Sequence, residues 1–318
     1  MKIRDFFKFK PLALHSEAIE ALTNQAPMAT TFPILDKSCL VGIEVEVENV
    51  PYYLDHLSPM WRRVEDNSLR NDGWEYVSAP LKGGDIEYAL RRLYSELKVH
   101  NPKYTFSGRT SIHVHMNART MTCGQAAAML LLYVVFEKTL FRFVGGNRDK
   151  NHHCVPLSEA SLTQLMVTIL NGKLPPEVGW MKYTAVNVLP LSGKGTIEFR
   201  QLAGTDDVDR IMTWIHLLMC LKLYCYKRSY SEVIGEIASL NTKSHYLGFA
   251  NTVFGDYTKQ LDVRQEDLAE GSSLVKLYEY SHTYLKALQP APRRPIGGTI
   301  KDPGVLDIPM PITVEGQT

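Results

Sequence analysis

Four short stretches of this chain place ionisable side chains at every second residue. They are Glu44, Glu46 and Glu48 in GIEVEVE, Glu75 in WEYVSAP, His113 and His115 in SIHVHMN, and Glu198 with Arg200 in GTIEFR. The residues between them are largely Ile, Val, Phe and Tyr, which is strand composition. Alternate side chains of a strand point the same way, so each stretch has a polar face and an apolar face. A chain with four such segments is constrained to build a sheet whose one surface gathers carboxylates, imidazoles and a guanidinium. That much charge on one surface is costly unless metal ions and an anionic ligand balance it.

The remaining pattern supplies helices around that sheet. Thr122 is expected to cap a long helix reaching about Val144 and stopping at Gly145–Gly146. Apolar residues at helical spacing predict further helices over Asp85–Val99, Leu162–Leu170 and Val208–Tyr226, with more helix from Tyr230 to Leu288 broken by a loop around Gly248–Gly255. Strands are expected at Tyr183–Leu189 and Gly195–Leu202, joined as a hairpin by LPLSGKG. Residues 1–38 read as an extension with a short helix near Glu17–Thr23, residues 39–288 as the main folded unit with C-terminal helices, and 289–318 as a Pro/Gly-rich tail. Strands and helices mix without regular βαβ alternation, and neither GxGxxG nor a Walker sequence occurs. The expectation is therefore an α+β fold around a mainly antiparallel sheet.

A formal net charge of +1 argues against nucleic-acid binding by bulk electrostatics. The five cysteines form no CxxC pair, which reads as reduced thiols in a cytosol and argues against a cysteine-based zinc site. The N-terminal text lacks the continuous apolar core of a signal peptide, and the run Ala126–Phe136 is too short to cross a bilayer. A cytoplasmic protein without membrane or nucleic-acid partners is expected.

Hard divalent ions such as Mg²⁺ and Mn²⁺ prefer oxygen ligands, commonly carboxylates with waters and phosphates. Glu44, Glu46, Glu75 and Glu198 could supply four carboxylates, and His113 or His115 a nitrogen. Arg200, two residues beyond Glu198, suits a phosphate bridging to such ions. Phosphoryl transfer is the leading reaction class. Each motif also has an ordinary reading: a wet strand face, a solvent-facing histidine pair, a surface ion pair. Their joint occurrence favours the site. Asn187 in an apolar strand reads either as satisfying a bulge or as a ligand contact, and the polar loop of Arg148, Asn151, His152 and His153 either as solvated or as touching nucleotide or substrate. Asp66 and Asp72 precede Glu75 across a turn-rich stretch and read as turn caps or as additional ligands.

The ordered set GIEVEVE, EYVSAP, SIHVHMN, NRDKNHHCVPL, YTAVNVLP and GTIEFRQLAGT resembles the amidoligase family found in bacteria, fungi and phages. More broadly it resembles carboxylate–amine ligases of the glutamine synthetase and glutamate–cysteine ligase fold. The resemblance covers about Leu40 to Thr205 and implies a curved, mainly antiparallel sheet of the glutamine synthetase-like catalytic type. It implies Glu44 and Glu46 on two different metal ions, Glu75 with one of them, and His113 and Glu198 with the other. Arg200 would hold the γ-phosphate of ATP, with Arg148, Asn187 and His115 as nucleotide or substrate contacts and Arg200, Glu46 and Glu198 as the catalytic set. The implied reaction is ATP- and Mg²⁺- or Mn²⁺-dependent joining of a carboxylate to an amine through an acyl phosphate, on peptide, cell-wall or protein substrates. A phosphotransferase of the same fold and a non-catalytic scaffold are the rival readings.

Overall fold

The computed structural model describes residues 39–54, 57, 59–170 and 180–288. The expected extension with its short helix and the Pro/Gly-rich tail lie outside the described residues. Six strands form one sheet: β1 (Val41–Val47), β2 (Trp61–Val64), β3 (Trp74–Ser78), β4 (Ser111–Asn117), β5 (Val186–Asn187) and β6 (Thr196–Ala203). Their order is β2-β3-β1-β4-β6-β5 and every paired neighbour is antiparallel. The helices are α1 (Gly84–His100), α2 (Cys123–Val144), α3 (Leu162–Leu170), α4 (Val208–Tyr226), α5 (Tyr230–Ser239), α6 (Lys243–Phe254) and α7 (Gln265–Leu288). The architecture is thus α+β, an antiparallel sheet packed by helices.

Strand parity builds the core. In β1 the residues Val41, Ile43, Val45 and Val47 are completely buried, and Ile112, Val114, Ile197 and Phe199 extend the same apolar surface. Burying each such side chain contributes roughly 1.5–3 kcal/mol. Tyr133 of α2 packs against Phe199 with ring centroids 5.9 Å apart, and Phe136 meets Phe254 edge-on at 4.8 Å. The run Ala126–Phe136 therefore lies inside a helix-covered core, and no helix among the described residues is long and apolar enough to cross a membrane. Helix α2 begins at a capping box, Thr122 and Gln125 each satisfying the other's backbone N–H, and ends at Gly145 with φ 65°.

Three elements differ from their sequence expectation. β2, WRRV, has no polar–apolar alternation to reveal it; Trp61 anchors it by donating to the Ala89 carbonyl of α1 at 3.0 Å, and Arg63 stacks 3.5 Å from the Trp74 ring centroid. The hairpin before β6 exists, but β5 pairs over two residues only and the connection contains a helical turn, Pro190–Gly193. Gly248 sits inside α6 with open space where a Cβ would be, and the helical region breaks after Phe254 instead. A glycine on an exposed helical surface costs about 1 kcal/mol, which the packed face of α6 outweighs.

Candidate metal and phosphoryl-transfer site

The sheet registers bring the motif residues together. Glu46 lies directly opposite Glu75, Glu44 opposite His113, His115 opposite Glu198, and Glu198 opposite Asn187. Directly opposed residues of antiparallel strands project from the same face. With the period of two along each strand, all seven side chains therefore share the surface turned away from the Val–Ile–Phe core. Ser111 and Thr196 join it, two residues before His113 and Glu198.

The contacts are close. The Glu44 carboxylate accepts from His115 Nε2 at 2.9 Å and from His113 Nδ1 at 3.1 Å, and Lys194 Nζ lies 3.3 Å from the oxygen that His115 holds. Glu46 accepts from both the backbone N–H and the hydroxyl of Ser111 at 2.7 Å, and the same hydroxyl is 2.8 Å from His113 Nε2. A protonated His113 donates to Glu44 and to Ser111, which relays the donation to Glu46. Glu198 accepts from Asn187 Nδ2 at 2.7 Å and from Arg200, whose Nε is buried without a partner among the described residues. Thr196 Oγ1 fixes His115 through Nδ1 at 3.1 Å.

Among the described residues, three groups of side chains have ligand atoms within 4.8 Å of one another: Glu44, His115 and Glu198; Glu44, Glu75 and His113; and Glu46, Asp66 and Glu75. Asp66 thus belongs with the acidic cluster, its loop folded back through a Ser68 N–H bond to Oδ1 at 2.8 Å. Asp72 does not join it; its backbone carbonyl holds Val50 N–H in a left-handed turn. Glu48 shares the strand parity but departs from the cluster, accepting from the Arg70 N–H at 3.0 Å. Arg148 is buried and donates to the carbonyls of Arg200 and Gln201, so it supports β6 from within the protein. Asn151 braces the Gly108 carbonyl, and His152 lies tilted against His153, which meets Tyr183 edge-on.

Electrostatics follow from this crowding. Burial alone would raise Glu44, yet the hydrogen bonds and charges of His113 and His115 hold it far below the ordinary carboxylate range. Glu198 is likewise lowered against its burial by His113 and Arg200. Burial disfavours the His113 cation, but Glu46 and Glu44 outweigh it and shift that group up. Glu75 goes the other way, pushed up to about 8 by burial and by Glu44, Glu46 and Asp66. No hydrogen bond to its carboxyl compensates among the described residues. Five acidic side chains against Arg200, Lys194 and two imidazoles leave the Glu46–Asp66–Glu75 end short of positive charge. An oxygen-rich, cation-deficient donor set of this kind fits a hard divalent ion.

Ser111 and Thr196 could have been found from sequence, since each lies two residues before a motif residue on the same strand. Lys194 could not: it reaches Glu44 from a loop after a helical turn, and no spacing encodes that. Asp66 required knowing how the loop of residues 65–73 folds back.

No family model and no curated protein matches this chain. A solved structure described as a novel glutamine synthase homolog aligns with 90% of this chain and 72% of its own, at 9% identity and a TM-score of 0.40. Likeness at that level carries no argument about chemistry.

Proposed function

We propose that residues 39–288 form an ATP- and divalent-metal-dependent carboxylate–amine ligase. The observation that carries the reading is the convergence of five carboxylates and two imidazoles with Arg200 on one sheet face. The ordered motifs that resemble the amidoligase family support it, as does the buried Nε of Arg200, a donor without an acceptor among the described residues. A curved sheet of the glutamine synthetase-like type belongs to the same reading.

Glu46, Asp66 and Glu75 would hold one Mg²⁺ or Mn²⁺, and Glu44 and Glu198 a second with His115 or His113. Bound there, the ions would neutralise charge on nucleotide phosphates and on the substrate carboxylate. The chain's own contribution is orientation and charge. Arg200, kept extended by Glu198, donates to the phosphoryl group as it leaves ATP, where preorganised donors act most strongly. The substrate carboxylate oxygen attacks the γ-phosphorus, the bond to ADP breaks, and an acyl phosphate forms. An amine then attacks the acyl carbon, the bond from that carbon to the phosphate oxygen breaks, and the departing phosphate carries away the amine's proton. Ser111 and Thr196 keep His113 and His115 in fixed orientations while this occurs. Asn187, holding Glu198 by Nδ2, acts as a positioning group.

The test is ATP turnover with Mg²⁺ or Mn²⁺ over a panel of carboxylates and amines, with products identified by mass. An amide together with ADP and phosphate is expected. A stable phosphorylated product would make the protein a phosphotransferase instead. No turnover across the panel, combined with no divalent-ion binding, would leave the scaffold reading.

A further inference from the structure

Arg200 occupies an irregular place in β6. Val114 pairs with Phe199 and Ile112 with Leu202, so Arg200 and Gln201 together oppose the single residue His113. Such a bulge re-aims side chains and leaves one residue outside the regular ladder. Here it lets Arg200 keep to the polar face beside Glu198 while Gln201 turns to the opposite side and donates to the hydroxyl of Tyr133 on α2. The bulge must be held from outside the β4–β6 pair.

Arg148 does so. Its Nε donates to the Gln201 carbonyl at 3.1 Å and its NH2 to the Arg200 carbonyl at 2.9 Å. The Arg200 N–H donates to Ala185 O at 2.9 Å, so the peptide units flanking its Cα are fixed on both sides. Arg148 is delivered by three successive residues with positive φ, Gly145, Gly146 and Asn147, a turn that side chains other than glycine and asparagine rarely tolerate. It is only 3% exposed, and no carboxylate forms an ion pair with it among the described residues. The neighbouring Cys154 thiol is pushed up to about 12 by burial and stays neutral. A buried cation held by carbonyls, with no carboxylate beside it, is an expensive device for stability alone.

We infer that Arg148 is a positioning residue that sets the aim of Arg200 by clamping the β6 bulge, and that it does not itself touch the nucleotide. The role assigned to Arg200 rests on the phosphoryl-transfer reading; the clamp does not. Two adjacent strand carbonyls suit the fork of a guanidinium, whereas an ammonium is a point donor that satisfies one of them well.

Two measurements on the full chain test this. In the metal-free protein, amide hydrogen exchange across Phe199–Leu202 should quicken at least tenfold in Arg148→Lys, with exchange in β1 unchanged. Equal protection in variant and wild type would overturn the clamp whether or not the protein uses ATP. With Mg·ATP and an accepted substrate, Arg148→Lys should lower kcat at least tenfold with KM within about twofold. In an Arg200→Lys background the same change should cost less than twofold, because a residue acting through Arg200 has nothing left to aim. Full additivity of the two substitutions would overturn the inference and make Arg148 a direct ligand contact. If Arg148→Lys does not fold, Tyr133→Phe probes the same bulge through Gln201, and the same non-additivity with Arg200→Lys is required. Absence of ATP turnover in the wild type would defeat the functional reading and leave exchange to decide the clamp.

Discussion

Glu75 offers the most direct check on the electrostatics of the site. Its carboxyl is pushed up to about 8 from an ordinary 4.5, by burial first and then by Glu44, Glu46 and Asp66. Each tenfold weakening of a carboxyl's acidity is worth about 1.4 kcal/mol, so the displacement here corresponds to roughly 3–5 kcal/mol. The sign is set by proton counts. Between pH 4.5 and about 8 the folded chain keeps a proton on Glu75 that the unfolded chain has lost. Stability from this group is therefore complete below pH 4.5 and declines as pH rises through about 8. Glu75→Gln should remove that decline. The assay is urea unfolding in a chelator at pH 5 to 9, comparing wild type with the variant. His113, also shifted up, contributes a fall of the same sign, and because its charge acts on Glu75 the difference between the two proteins reports Glu75 together with its coupling to His113. The variant should gain on the order of 3 kcal/mol relative to wild type across the window, and millimolar Mn²⁺ should restore the wild type at high pH by taking the place of the proton. Parallel stability curves for the two proteins would refute the reasoning, because they would mean that Glu75 ionises freely in the fold.

Other consequences can be measured separately. Arg200→Lys should reduce ATP-dependent turnover by about a hundred- to a thousandfold, the usual loss on removing a preorganised donor, while nucleotide-free Mn²⁺ affinity by calorimetry stays within about twofold. Asp66→Asn should weaken Mn²⁺ binding at least about tenfold and leave the unfolding midpoint of the metal-free protein unchanged or higher, since it removes charge from a crowded cluster. Thr122→Ala should cost about 1 kcal/mol in chemical unfolding by opening the capping box of α2, without altering metal affinity.

The parts legible in the sequence were those governed by strict periods. A spacing of two fixed the shared face of Glu44, Glu46, His113, His115 and Glu198, because a strand has only two faces. Helical spacing and the Thr122 and Gly145 stops located α2, because a long amphipathic or buried helix repeats its signal many times. What escaped was set by single contacts at a distance. β2 is too short and too arginine-rich to show alternation, and it persists through Trp61 and the Arg63–Trp74 stack. Lys194 reaches the cluster from a loop whose course depends on the folded sheet, and the same dependence left Asp66 and Asp72 undecided between turn cap and ligand. Arg148 reads as a ligand contact from composition alone; only the β6 bulge, invisible in the text GTIEFRQLAGT, reveals the carbonyls it holds.

The donor groups are distributed across the chain from Glu44 to Glu198, on four neighbouring strands and one loop. A cation held by Glu44, His115 and Glu198 would tie β1 to β4 and β6, and one held by Glu46, Asp66 and Glu75 would tie β1 to β3 and the preceding loop. The second set lies within β1 to β3 and their connections, whereas no contiguous fragment contains the first without running from β1 into β6. Occupancy of the first set would therefore report a completed sheet, and an ion bound there would stabilise the folded chain by about 2.7 kcal/mol at a hundredfold excess over its dissociation constant. Free divalent-ion concentration would then set how long such a chain survives proteolysis, independently of any reaction it performs.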